Sequence, residues 1–564
     1  MAAGEPYGCR MVPLRNFLNT TESFIPDALR GLVAATADLR WDREHGYLIR
    51  DSPLRPGQVA LVSGGGSGHE PLHAGFIGRG MLTAACPGLI FTSPNALQIA
   101  GATVAADAGG GVLHVVKNYT GDVMNFSIAR QIADESSVRT EVVLVDDDVA
   151  TEVTDSAKPG RRGTAATVVV EKLCGAAAER GDQLAAVAAL GRRVAASARS
   201  MAVALSPCTV PGAPVPSFDL PTGEMEIGVG IHGERGVDRA PVAPAAEIVA
   251  ALLARILPAA QVRSGDEVIV VVNGLGATHS LELNLLFGEV AAQLAAAGIA
   301  VGRSLVGSFV TALDMAGASV TVVRADPEMF ELWDAPTGAP GWPAVTGPPV
   351  GRLIDGTIVE PTDRADRGGE NRWLSAFVER VRASVGMLTD LDRRAGDGDF
   401  GTNMAAALRH YELPLRGTDA DVLLALSTSY FVRAGGTSGA VFGTFFRALY
   451  GGLGSEPWST ERVAHAVRHG LDRIQALGGA RVGDKTVVDA VSPAADALDA
   501  AVRQGIPLAL ALRSAADAAA AGVQATRDAM AARGRASYVG EAARGVEDPG
   551  ALVMSWFFEA AAGR

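Results

Sequence analysis

Over the first 334 residues, short runs of β-branched residues alternate with longer stretches whose apolar positions recur at helical spacing. Val59–Ser63, Gly111–Lys117, Glu141–Val145, Gly228–Ile231, Val268–Asn273 and Ser319–Val323 read as strands. Several end in glycine-containing turns followed by helix-like segments. That is an α/β pattern, in which ligands gather at the carboxyl ends of strands. Residues 81–106 carry no charge and are long enough to span a bilayer. Pro87, Gly88, Pro94, Asn95 and Gln98 make them a poor membrane helix, and they read as a buried strand, loop and helix. From Asn371 onward the strand pattern disappears. Arg372–Leu391, Asn403–Tyr411, Val463–Leu477 and Ile506–Arg533 are Ala/Leu-rich helical runs, which predict an all-α barrel or bundle. Between the two patterns, residues 335–351 hold Pro336, Pro340, Pro343, Pro348 and Pro349. The predicted organisation is an α/β domain over residues 1–334, built of two α/β subdomains, a linker over 335–370 and a helical domain over 371–564.

The net charge of −13 argues against a general nucleic-acid or membrane-surface binder, because both attract basic surfaces. An anionic nucleotide would have to be held by local metal ions and backbone N–H groups. Cys9, Cys86, Cys174 and Cys208 lie far apart with no C-x-x-C spacing, and read as reduced thiols of a cytoplasmic protein. No basic-then-apolar leader is visible, and Met11 is an alternative start.

Two glycine-framed clusters carry the candidate chemistry. In the first, the strand Val59–Ser63 leads into Gly64-Gly65-Gly66-Ser67-Gly68-His69-Glu70-Pro71, read as a strand-to-helix turn whose bare backbone can approach a ligand closely. No Gly-Lys-Ser/Thr follows, so it is not a Walker A loop; alone it marks a turn of unspecified purpose. Lys117 and Asp122 sit at the next strand end, where Asp122 is either a base for a substrate hydroxyl or a helix cap. His232, in Gly230-Ile231-His232-Gly233-Glu234, is either a nucleophile or base, or a hydrogen-bonded loop residue. Three strand ends, each presenting a titratable residue beside glycine, favour a site over three separate structural roles.

In the second cluster, Asp392, Asp397 and Asp399 fall within eight residues around Gly396 and Gly398. Their spacing fits no single helix face, so the carboxylates converge through a loop. They would repel unless a hard cation such as Mg²⁺ or Ca²⁺ neutralised them; the alternative is a solvated acidic turn. Gly435-Gly436-Thr437-Ser438-Gly439 precedes the helical run Ala440–Tyr450 and offers a helix N-terminus to phosphate oxygens. Arg535, in Gly534-Arg535-Ala536-Ser537-Tyr538, and the turn Asp548-Pro549-Gly550 are candidates to close over a nucleotide.

These residues closely resemble the dihydroxyacetone kinase family in its single-chain, ATP-dependent form. The resemblance covers nearly the whole chain. It rests on the motifs above together with Lys117–Asn125, Gly160–Gly163, Asn273–Thr278 and Gly483–Thr486, in order. It implies that His232 adds through a ring nitrogen to the ketone of dihydroxyacetone, giving a covalent hemiaminal that glycerol cannot form. It implies that Gly66, Ser67, Gly68, His69, Lys117 and Asp122 hold the hydroxyls, with Asp122 as base assisted by His69. Asp392, Asp397 and Asp399 would coordinate two Mg²⁺ ions carrying the ATP triphosphate. Phe400, Gly401, Thr402, Asn403, Thr437, Ser438, Gly479, Arg535, Asp548, Pro549 and Gly550 would line the nucleotide site. Transfer would be direct and in line, in a cytoplasmic homodimer that binds neither nucleic acid nor membrane.

Arg235 and His279 stand where the family often has proline, and Phe400 fills a variable slot. These departures bear on the ketose rather than on the reaction. The expected activity is dihydroxyacetone phosphorylation, with D- or L-erythrulose as the alternative substrate. A phosphoenolpyruvate-linked transferase is disfavoured by the single chain, and a non-catalytic ketose sensor by the aspartate loop.

Overall fold

A computed structural model of the chain describes residues 16–152, 160–343, 346–349, 351, 368–454, 457–533 and 540–564. The chain divides into two compact units, Met1–Arg352 and Leu353–Arg564. The first is α/β and the second is helical, in agreement with the sequence pattern.

The first unit holds two six-stranded sheets. One comprises β1 (Leu39–Asp42), β2 (Tyr47–Arg50), β3 (Ala60–Ser67), β4 (Ala84–Ile90), β5 (Val112–Lys117) and β6 (Thr140–Val145), in the order β1-β2-β4-β3-β5-β6. Its β4-β3-β5-β6 portion is parallel, with β2 and β1 antiparallel at the edge. The other comprises β7 (Ala198–Ala204), β8 (Glu224–Ile227), β9 (Asp238–Pro241), β10 (Glu267–Gly274), β11 (Ala300–Gly307) and β12 (Gly317–Arg324), in the order β11-β10-β12-β7-β8-β9.

Side chains alternate across a strand, so each sheet has two faces to cover. Leu61, Leu113 and Val115 of one sheet and Ile269, Val271 and Val323 of the other share a core with the helices Ala166–Arg180 and Leu184–Ser197, which lie between the sheets. The opposite faces take separate helix pairs. Val62, Val112 and Val116 pack with Ile99 and Phe126, whereas Val268, Val270 and Val272 pack with Leu252 and Leu283. The uncharged stretch 81–106 forms β4, a loop and the helix Ala96–Ala106, as its composition predicts. Among the described residues no helix is long and apolar enough to cross a membrane.

Three local expectations differ from the structure. The glycine motif is not a strand-to-helix turn: β3 continues through Gly64–Ser67, and a turn with a short 3₁₀ segment, Ala74–Phe76, follows. Glycine is required here by close approach, since a Cβ on Gly64 would lie 2.7 Å from the Cys86 carbonyl oxygen and one on Gly66 2.6 Å from Phe91 Cα. Residues 228–231 are irregular rather than a strand, because β8 ends at Ile227 where Gly228 turns to a φ of +80°. Arg372–Leu391 is two helices, Arg372–Ala383 and Val385–Ala395, which meet at Ser384. Within the proline-rich segment, residues 338–342 pack on the first unit. Gly338 and Gly341 donate to the Arg79 and Gly75 carbonyls, and the Trp342 ring sits edge-on to Trp333 at 4.9 Å.

The second unit has nine α-helices among the described residues. From Asp419–Arg433 through Gly436–Leu453, Thr460–Gly478, Val488–Gln504 and Leu508–Ala525 to Pro549–Ala562, each packs on the next, and the last returns to Arg372–Ala383. Phe400–Leu408 contacts both Arg372–Ala383 and Asp419–Arg433 and so closes a barrel. Its core includes Phe377, Phe445, Phe446 and Phe557, whose rings meet edge-on or tilted.

Asn273 at the end of β10 anchors the loop that reaches the first glycine cluster. Its Oδ1 accepts from the N–H groups of Phe309 and Val310, both at 2.8 Å, and its Nδ2 donates to the Val310 carbonyl at 2.7 Å. Asn273→Ala leaves these buried groups unpaired. It is expected to destabilise the first unit by about 2–4 kcal/mol in urea denaturation.

Candidate functional site

The first unit gathers its candidate residues at the carboxyl ends of β3 and β5. Lys117 ends β5, and Asp122 lies in the first turn of the helix Thr120–Glu135; both are buried. Lys117 Nζ donates to the Gly64 carbonyl at 3.1 Å and stands 3.6 Å from Asp122 Oδ2. A Cβ on Gly65 would collide with that ammonium. His69 follows the strand fully buried, and its Nδ1 lies 2.7 Å from the Thr311 carbonyl oxygen in the loop that Asn273 holds. Ser67 Oγ donates to the Gly88 carbonyl at 2.7 Å, so its hydroxyl is already engaged. Gly66 and Gly68, the latter at φ +104°, let Phe91 close on the strand end.

His232 comes from the other sheet's connection but reaches the same place. Its ring is edge-on to His69 at 4.7 Å and to Tyr119 at 4.3 Å, with Phe91 at 5.6 Å. His232 Nδ1 lies 3.2 Å from Glu234 Oε1, and its backbone N–H donates to Glu234 Oε2 at 2.8 Å. Burial raises the Glu234 carboxyl, but the hydrogen bond and charge of His232 and the charge of Arg162 outweigh it and hold the group at about 2. An ionised Glu234 keeps the Nδ1 proton of His232 in place, which leaves the Nε2 lone pair as the reactive position. Arg162 is itself tied to Asp148 and to the Gly228 carbonyl.

Three buried polar atoms here have no hydrogen-bond partner, His69 Nε2, Asp122 Oδ1 and the Tyr119 hydroxyl oxygen. Unpaired buried polar groups are costly, and three at the ends of β3 and β5 mark where a ligand's hydroxyls would complete the network. Burial, and then the charges of His232 and Lys117, hold His69 well below the ordinary histidine range, so its ring is neutral.

In the second unit Asp392 sits on the last turn of Val385–Ala395, Asp397 lies in the loop, and Asp399 precedes the helix Phe400–Leu408. One carboxylate oxygen from each lies within 4.8 Å of the others. Burial, and then the charges of Asp397 and Asp399, push Asp392 up, while the Phe400 N–H on its Oδ2 at 3.0 Å opposes this. An all-oxygen set of three converging carboxylates fits a hard divalent cation.

Around this triad the nucleotide candidates divide. Asn403 has a buried Nδ2 with no partner, and its Oδ1 lies 3.3 Å from where a Gly435 Cβ would stand. The aspartate-loop helix therefore meets the N-terminus of Gly436–Leu453, whose first turn carries Thr437 and Ser438. Asp548 caps the last helix through Ala551 N–H at 2.6 Å, and Pro549 and Gly550 begin that helix, with the Gly550 Cβ position 3.8 Å from the Phe400 ring. Thr402 is exposed on the Phe400–Leu408 helix. Gly401 and Gly479 have structural reasons of their own. A Cβ on Gly401 would strike Thr389, and Gly479 is the left-handed cap of Thr460–Gly478 at φ +63°. Arg535 lies outside the described residues.

The motifs did not single out Glu234, Tyr119, Phe91 or Arg162 for roles of their own, although Glu234, Tyr119 and Arg162 lie inside them. Lys485 is also unanticipated: buried at a φ of +62°, its ammonium donates to the carbonyls of Thr526, Ala543 and Val546, each at 2.8 Å.

Comparison with known proteins agrees with this two-part layout. A Dak1 domain profile matches residues 30–341 and a DAK2 domain profile residues 394–563. Triokinase/FMN cyclase of Mus musculus is 37% identical over 573 residues, which covers 97% of this chain and 98% of that protein. L-erythrulose 1-kinase of Mycolicibacterium smegmatis is 37% identical over 566 residues, covering 96% and 98%. The crystal structure of the dihydroxyacetone kinase from C. freundii in complex with AMP-PNP and Mg²⁺ matches with a TM-score of 0.63 at 30% identity. That match covers 98% of this chain and 99% of the other.

Burial, aided by the charge of Asp489, pushes Asp548 from its ordinary 3.8 to about 7, against the Ala551 N–H that lowers it. A carboxyl raised on folding adds stability that is complete below its unfolded value and is lost as pH rises through the folded value. Asp548→Asn keeps the capping oxygen and removes that loss. Its melting temperature relative to the parent protein should therefore be higher at pH 8 than at pH 5, measured calorimetrically with EDTA and without nucleotide.

Proposed function

The chain belongs to the dihydroxyacetone kinase family, and we propose that within it the protein is an ATP-dependent kinase that phosphorylates a terminal hydroxyl of dihydroxyacetone, with erythrulose as the alternative ketose. The observation that carries this reading is the pair of unpartnered buried atoms, His69 Nε2 and Asp122 Oδ1, beside a His232 ring aligned by Glu234. A short ketose supplies what that arrangement lacks, namely an electrophilic carbon for His232 and hydroxyls for the orphaned atoms.

His232 Nε2 adds to the carbonyl carbon as the π pair moves to oxygen. The carbonyl oxygen takes a proton from solvent water, and the Nδ1 proton passes through Glu234 Oε1 back to solvent, leaving a neutral hemiaminal. Glycerol has no such carbon and is not retained. Asp122 Oδ1 then receives the proton of the terminal hydroxyl as that oxygen attacks the terminal phosphorus of ATP and the bond to the ADP oxygen breaks, while Lys117 balances the carboxylate charge. His69, neutral and held by Thr311, hydrogen-bonds the same end of the substrate.

Asp392, Asp397 and Asp399 would hold Mg²⁺, two ions in this reading, which supplies charge neutralisation for the triphosphate. Asn403, Thr437 and Ser438 offer hydrogen bonds to phosphate oxygens, and Phe400, Pro549 and Gly550 an apolar wall. The erythrulose alternative is favoured by the relative of that name, which matches along the full chain. A cytoplasmic homodimer completes the reading, on the resemblance to fused members of the family.

The direct test is ADP formation from Mg-ATP with purified protein and no other protein present. Turnover is expected with dihydroxyacetone or an erythrulose, none with glycerol, and none in EDTA until Mg²⁺ is restored. Silence across all ketoses contradicts the proposal. Asp122→Asn should lower kcat by about 10²–10⁴-fold with little change in ketose KM, and near-normal turnover removes it as the base.

A further inference from the structure

Behind the Lys117–Asp122 pair lies a second layer of buried titratable groups that the reaction above does not use. His73 stands on the turn after β3, and Glu171 on the helix Ala166–Arg180 that separates the two sheets. His73 is 5% exposed and Glu171 0%. Glu171 Oε1 lies 2.6 Å from His73 Nδ1, and His73 Nε2 lies 2.8 Å from Lys117 Nζ. With the 3.6 Å approach of Lys117 to Asp122, four side chains from four elements form one line that ends at the orphaned carboxylate oxygen.

The proton positions along this line follow from donor and acceptor chemistry. An ammonium only donates, so His73 Nε2 must accept from Lys117. The neutral ring then carries its proton on Nδ1, which needs an acceptor. Glu171 Oε1 is that acceptor, with Ser63 Oγ alongside at 3.0 Å; the Ser63 hydrogen is itself given to the Val115 carbonyl at 2.8 Å. Burial, and then the charges of Lys117 and His69, hold His73 well below the ordinary histidine range, which keeps the ring neutral. Were the tautomer reversed, Nε2–H would face the N–H groups of Lys117. The ammonium has no space to retreat past Gly65, whose Cβ position it already occupies.

We propose that Glu171 and His73 are positioning residues for phosphoryl transfer: Glu171 accepts the Nδ1 proton of His73 and so fixes the ring's orientation, and His73 holds the Lys117 ammonium beside Asp122. The proposal rests on the reading of Lys117 and Asp122 as substrate-site groups. It explains why the Glu171 side chain lies wholly buried on this helix. The charged and titratable groups that surround Lys117 are Asp122 from the helix after β5, His73 and His69 from the segment after β3, and Glu171 from the intervening helix.

The test pairs kinetics with a readout that needs no turnover. In ¹⁵N-histidine-labelled full-length protein, one imidazole signal pair should report an Nδ1–H tautomer with a downfield, hydrogen-bonded Nδ1 proton, vanish in His73→Gln, and lose that downfield position in Glu171→Leu. Glu171→Gln, whose amide oxygen still accepts, should keep it. Glu171→Leu and His73→Leu should each lower kcat by about 10–100-fold, the scale of one hydrogen bond to a charged group, while KM for ATP stays put. His73→Gln places an oxygen near the Nε2 position and should recover most of that loss. In the His73→Gln background, Glu171→Leu should then cost little more. An Nε2–H tautomer for His73 in the unaltered protein, which requires no variant to fold, overturns the proposal. So does full additivity of the two substitutions. If the tautomer is as expected but Lys117→Met and Asp122→Asn both retain turnover, the substrate-site reading fails, and with it the catalytic part of the proposal.

Discussion

Burying the Lys117 ammonium is the constraint around which the first unit is arranged. A cation taken out of water costs several kcal/mol even after relaxation, and it survives only where acceptors surround it. Here they come from every side: the Gly64 carbonyl, the His73 ring and the Asp122 carboxylate. The run of glycines follows from the same requirement, since the ammonium fills the space that a Gly65 side chain would take and the Phe91 segment fills that of Gly66. The result is a rigid, polar site with unsatisfied atoms on His69, Asp122 and Tyr119. Such a site is pre-organised for hydroxyl and carbonyl groups rather than for an apolar ligand.

The second unit solves the opposite problem. Three carboxylates are drawn together by a loop in which Gly398 adopts a φ of +81°, and burial, then the charges of the other two, raise Asp392. A buried cation seeking acceptors organises one unit, and clustered anions seeking a cation organise the other. A phosphoryl transfer with a metal-bound donor and a hydroxyl acceptor needs both kinds of site, which is why the two belong to one account of the chain.

Much of this was legible in the sequence. The composition shift near residue 335 separates α/β from helical pattern, and strands of high β-branched content, such as β10 and β12, announce themselves. His69, Asp122, His232, Asp397 and Asp399 stand out because each lies beside glycine, and Lys117 and Asp392 because they open the same motifs. What escaped depends on contacts distant in the chain. The four-residue strands β1, β2, β8 and β9 are too short to show a period of two. Glu171 lies next to Lys172 on its helix, where a charged pair reads as a solvated face, until His73, 98 residues away in sequence, gives it a partner. The glycine motif read as a turn because its strand character depends on β4 and β5 pairing on either side. Gly228–Ile231 misled in the other direction: its β-branched residues suggest a strand, but two positive-φ glycines, Gly228 and Gly233, bend the segment so that His232 faces His69.

The central claim is that the first site captures a ketose covalently through His232 before any phosphate is transferred. The most direct measurement is the ¹³C spectrum of dihydroxyacetone labelled at its carbonyl carbon, bound to the protein without nucleotide. The account predicts that the bound carbon leaves the carbonyl region for that of a tetrahedral carbon attached to nitrogen and oxygen. A bound ketose whose labelled carbon stays in the carbonyl region would contradict it.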